Sequence, residues 1–160
     1  MEKSPRFKNT MKTIDDVLNA VTKADPDGAM IVRPATAEDL KSCQEDMAEE
    51  EMPHIPQEYC DFLTMLNGFA WNGIEFYSTD QVTDNDTGYM LNDIVSANES
   101  FARINEGFGH CIQLGRADED LFVYNTKNRR YEVLDMTGRD VLEEYETFEA
   151  LFARVVLPRI

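Results

Sequence analysis

The stretch from Cys111 to Tyr145, CIQLGRADEDLFVYNTKNRRYEVLDMTGRDVLEEY, decides the fold. Short apolar runs alternate in it with clusters of turn residues. Cys111–Leu114 reads as one strand, turned at Ala117-Asp118-Glu119-Asp120. Leu121–Tyr124 reads as the second, turned near Lys127-Asn128, and Tyr131–Asp135 as the third, turned at Thr137-Gly138. Val141–Tyr145 adds a short edge strand. Consecutive strands joined by turns this short pair antiparallel, because a parallel crossover needs a dozen residues or more.

Downstream, Thr147 caps a final helix with Phe148, Leu151, Phe152, Val155 and Val156 on one stripe, stopped by Pro158. Upstream, Ile94, Ala97, Phe101 and Ile104 place a helix over Asn92–Ile104, ended by Gly107 and Gly109. Ser78–Gly88 reads as a long loop, and Gly73–Tyr77 alternates like a half-buried strand. Pro56 opens a helix carrying Tyr59, Phe62, Leu63 and Leu66, with Asn67-Gly68 as its stop. Thr36, with Asp39 three residues on, caps a surface helix whose apolar stripe is Leu40, Cys43 and Met47. Thr13 caps a first helix carrying Ile14, Val17, Leu18 and Val21, ended by Asp25-Pro26-Asp27-Gly28. Residues 1–12 read as a loose arm and residues 13–160 as a single domain. The expected class is α+β: a largely antiparallel sheet of four to six strands with flanking helices.

Composition narrows the function. A chain of 160 residues can bury a core without metals or disulfides. Fifteen Lys and Arg face 31 Asp and Glu, giving a net charge of −16. That field repels nucleic acid and anionic membranes and attracts basic partners, although it also serves solubility alone. Neither direct nucleic acid binding nor a membrane partner is expected. Cys43, Cys60 and Cys111 are too few and scattered for a disulfide framework, which favours a reducing compartment. Met1–Thr10 has no apolar signal-peptide core, and no apolar stretch is long enough to span a bilayer. The expected location is the cytoplasm.

Catalytic chemistry has little material. His54 and His110 lack zinc-site spacing. Cys60 follows His54 closely, so a Cys–His pair and a buried structural cysteine are both open readings. Asp80, Asp84, Asp86 and Asp93 miss the calcium-loop spacing, leaving a solvated acidic loop. No phosphate-binding or nucleophile-elbow motif occurs. No catalytic, metal or cofactor residue is assigned. The candidates for partner binding are Asp118, Glu119 and Asp120 on the hairpin turn and Glu49, Glu50 and Glu51 ending an acid-rich segment. Each group also reads as a solvated surface. Trp71, the single tryptophan, reads as a binding hot spot or a core anchor.

The run Ile55-Pro56-Gln57-Glu58-Tyr59-Cys60-Asp61-Phe62-Leu63, then Asn67-Gly68, then Gly73-Ile74-Glu75-Phe76-Tyr77, resembles the signature of the SUKH superfamily. Leu114–Tyr124, Tyr131–Asp135 and Tyr145–Leu151 are similar to its later landmarks, particularly in the YrhA-like branch. Phe69 stands where the family commonly has a second glycine. The resemblance spans roughly residues 50–155 and rests on structural landmarks, so it speaks to fold more than to function. It implies an α+β fold without an active site. It also implies an immunity protein that neutralises a toxin by direct binding, basic nuclease toxins being natural targets for an acidic chain. A regulatory or scaffolding module, like the yeast cell-wall synthesis regulator in the same superfamily, is the alternative. A small-ligand-binding protein with a pocket near Trp71 is a third reading. A secreted-toxin gene beside this one would favour immunity over regulation.

Overall fold

A computed structural model describes residues 5–160. Helix α1 covers Pro5–Ala24 and buries Ile14, Val17 and Val21. It begins well before Thr13, which lies inside it and caps nothing. Of the expected loose arm, residues 5–12 are therefore helical, and residues 1–4 lie outside the described residues. Strand β1 is Met30–Ile31, and helix α2 is Ala37–Glu49. Thr36 caps α2 as its sequence requires: Thr36 Oγ1 accepts the Asp39 N–H at 3.1 Å, and the Asp39 carboxylate accepts the Thr36 N–H at 2.9 Å. The backbone hydrogen bond from Thr36 holds the Asp39 carboxyl below its ordinary range.

Helix α3 is Gln57–Leu63, with Pro56 as its N-cap in extended conformation, not its first helical residue. Thr64 ends it, ahead of the Asn67-Gly68 stop that the pattern suggested. Strands β2 (Phe69–Trp71) and β3 (Ile74–Phe76) then form a hairpin about Asn72-Gly73. Both turn residues have positive φ, 47° and 81°, the conformation that makes Asn-Gly the preferred two-residue hairpin turn. Val82–Thr83 (β4), inside the stretch read as a loop, pairs with Met90–Leu91 (β5), just beyond it, as a separate small hairpin. Helix α4, Ile94–Ile104, is capped by Asp93. Strands β6 (Cys111–Ala117), β7 (Asp120–Asn125), β8 (Arg130–Asp135) and β9 (Val141–Tyr145) follow as the expected meander. Thr147 caps helix α5, Phe148–Val156, and a 3-10 turn covers Leu157–Arg159.

The main sheet runs β1-β2-β3-β6-β7-β8-β9, antiparallel throughout. It has six strands within the expected range, extended at one edge by the two-residue β1. One face, carrying Phe69, Phe76, Phe122 and Tyr131, packs on α1, α3 and α5 in a single hydrophobic core. Alternation sends Leu121, Val123 and Leu134 to the other face, where Phe101 of α4 covers them. The molecule is α+β, with a mainly antiparallel sheet between helices.

A bulge between Gln113 and Gly115 sets the geometry of the sheet's centre. A Cβ on Gly115 would sit 2.0 Å from the Glu75 carbonyl oxygen, so only glycine lets β3 and β6 approach there. The Leu114 carbonyl accepts the Tyr77 N–H at 2.9 Å. The buried Tyr59 hydroxyl lies 3.2 Å from the same carbonyl and 2.5 Å from the Tyr77 carbonyl, tying α3 to the sheet.

Candidate functional site

Beyond the reach of α4, one cross-strand row is left to form a floor. Met30, Ala70, Glu75 and Arg116 are register partners across β1, β2, β3 and β6. The row continues to Leu121, so it lies on the face opposite the aromatic core. Above it close the α1–β1 connection at Asp27–Ala29, the β2–β3 turn and the β4–β5 hairpin at Asp84, Thr87 and Tyr89. Together they enclose a cleft of about 560 Å³, bounded at one end by Asp118.

The cleft is acidic. Asp27, Glu75, Asp84 and Asp118 line it with Arg116, and a second cation, Arg159, reaches Asp118 from outside the lining. The Tyr89 hydroxyl donates to Glu75 Oε1, while Glu75 Oε2 lies 4.0 Å from Arg116 Nε. Burial first, and the bond to Glu75 second, push the Tyr89 phenol above its ordinary range. Asp84 accepts the N–H groups of Asp86 and Thr87 at 2.9 and 3.3 Å and so shapes its own loop. At the rim, Arg159 Nη2 donates to Asp118 Oδ2 at 2.5 Å and Nη1 to the Asn72 carbonyl at 3.0 Å.

The residues singled out in the sequence divide among three places. Trp71 and Asp118 share the cleft. Trp71 is only 6% exposed and donates its indole N–H to Asp25 Oδ2 at 3.0 Å, so it is a core anchor that also borders the cleft. Of Asp118, Glu119 and Asp120 on the β6–β7 turn, Asp118 is paired with Arg159 and Asp120 is partly buried. Burial, then the Asp118 charge, raise the Asp120 carboxyl, which borders a separate pocket of about 230 Å³ with Glu143 and Arg154. Glu119 stays exposed on the turn. Glu49, Glu50 and Glu51 are exposed at the C-terminal end of α2, apart from the cleft lining.

Sequence reasoning missed Asp27, Glu75, Tyr89, Arg116 and Arg159, and read Asp84 as part of a solvated loop. One signal was available: Asn72-Gly73 between apolar runs marks a hairpin, which would have aligned Ala70 with Glu75.

The thiols and imidazoles are placed otherwise. All three cysteines are buried, and burial pushes Cys43 up to about 12 and Cys60 and Cys111 up to about 11. Such thiols are poor nucleophiles at neutral pH. His54 is exposed, and His110 stacks on Phe108. Among the described residues, no three His, Cys, Asp or Glu side chains are grouped to hold a metal ion. No helix among them is long and apolar enough to cross a membrane. No protein-family model and no curated protein sequence matches the chain.

Proposed function

We propose that this chain is a non-catalytic binding domain for a basic protein and that it neutralises a toxin by covering its working surface. The observation that carries the reading is the cleft, where four carboxylates meet two guanidiniums, Arg116 in the lining and Arg159 at the rim, in a molecule of net charge −16. A field of that sign speeds encounter with a cationic surface and penalises anionic partners. The end of α2 supports the same reading. Glu49, Glu50 and Glu51 sit where the helix dipole disfavours negative charge, and the last turn holds no basic residue. Their placement costs stability in the isolated chain and is relieved by a partner's cations.

The second reading, a small-ligand-binding protein, draws on the cleft's volume of about 560 Å³ and its bordering Trp71 and Tyr89.

The test is affinity capture from the source cells at low and high salt, with mass spectrometry of the retained proteins. Wild type is compared with a D27N/E75Q/D84N protein and an E49Q/E50Q/E51Q protein. One basic protein, retained stoichiometrically at low salt and lost with salt and with either set of amides, is the expected result. The same proteins retained by all three at every salt concentration would defeat the proposal.

A further inference from the structure

We propose that the Asp118 end of the cleft is a seat for an arginine side chain of the partner, and that Arg159 fills it in the unbound protein. This rests on the protein-binding reading and specifies its chemistry. The structure holds a guanidinium at this point. Arg159 sends one nitrogen to Asp118 Oδ2 at 2.5 Å and another to the Asn72 carbonyl at 3.0 Å. The two acceptors belong to different turns, β6–β7 and β2–β3, so the seat has the spread of a planar fork and not of a single ammonium. Gly73 borders the seat: a Cβ there would lie in ordinary contact, 3.5 Å from Arg159 Nη1 and 3.6 Å from Asp118 Oδ1.

The occupant is replaceable. The Asp118 side chain is 66% exposed and that of Arg159 is 27% exposed, so water competes for the pair and holds it weakly. Asp27, Glu75 and Asp84 extend the negative field from the seat into an open cleft, which gives an incoming cation an approach. A partner's arginine takes over the acceptors of Arg159, one guanidinium exchanging for another without unpairing Asp118.

Trp71, the only tryptophan, borders the same cleft and supplies a fluorescence reporter. The experiment titrates Nα-acetyl-arginine amide into wild type, R159A and R159A/D118N, with the lysine analogue in parallel. With the internal competitor removed, R159A should bind the arginine probe at least about fivefold more tightly than wild type. Adding D118N should weaken it about tenfold or more, and the lysine analogue should bind more weakly throughout. If R159A does not fold, by circular dichroism, R159Q removes the charge with less loss of packing and carries the same comparison. Equal affinity of wild type and the Arg159 variant, indifference to D118N, or a lysine response as strong as arginine would overturn the seat. A basic protein captured equally well by R159A/D118N would overturn the seat and leave the protein-binding reading standing. A saturable arginine response with no protein captured would do the reverse.

Discussion

Asn98 pairs with Gln113 as a neighbouring strand would. Its side-chain amide donates to the Gln113 carbonyl at 2.9 Å, and its side-chain oxygen accepts the Gln113 N–H at 2.7 Å. Strand β3 ends at Phe76, which pairs with Gly115, and after the Tyr77 N–H bond to the Leu114 carbonyl the backbone groups of Gln113 have no β3 partner. Asn98, 3% exposed on α4, satisfies them and locks the helix to the sheet.

Replacing Asn98 therefore strands a donor and an acceptor inside the protein. Asn98→Leu should cost about 2–6 kcal/mol, because each of the two unsatisfied buried groups costs about 1–3 kcal/mol. Urea unfolding should show a lower midpoint at unchanged slope. An unchanged midpoint would mean that water replaces the amide.

Gly115→Ala tests the bulge. Its Cβ would meet backbone, the Glu75 carbonyl at 2.0 Å, which cannot swing aside like a side chain. The expected loss is at least about 2–3 kcal/mol. Gly109→Ala is the control, since a Cβ there meets nothing within 4 Å. Equal unfolding midpoints for the two variants would refute the close approach of β3 and β6.

The thiols predict alkaline behaviour. Cysteine in the unfolded chain ionises near pH 9.0, whereas burial moves Cys43 to about 12 and Cys60 and Cys111 to about 11. Raised folded-state values mean a contribution fully present below pH 9 and lost as pH climbs from there toward 11–12. Denaturant midpoints across that range should fall more steeply for wild type than for a variant with all three cysteines replaced by alanine. At pH 8 a thiol reagent should label the native protein far more slowly than the unfolded chain, and rapid native labelling would contradict the burial.

Elements held by local chemistry were legible in the sequence. Thr36 and Thr147 cap the helices that follow them, and the meander appears in order because each turn lies beside the strands it joins. Strand β2 escaped notice because Phe69, Ala70 and Trp71 are all buried, leaving no alternation to read. Strands β1, β4 and β5 are two residues each, too short for any period. The cleft was illegible for a different reason. Asp118 and Arg159 lie 41 residues apart, and nothing local to either announces the other. Sequence pattern can suggest that Trp71 and Asp118 matter, but only sheet register places them around one space.

The aromatic core has a consequence for biosynthesis. Tyr59, Phe62 and Phe76 set their rings against Phe148, and Phe62, Phe69 and Phe76 against Phe152. A ribosome adding about 5–20 residues per second makes the earlier rings several seconds before α5 exists. For that interval the nascent chain carries bulky apolar groups with nothing to cover them. Chaperone engagement should therefore be strongest on chains stalled between residues 76 and 148 and should fall once α5 clears the exit tunnel.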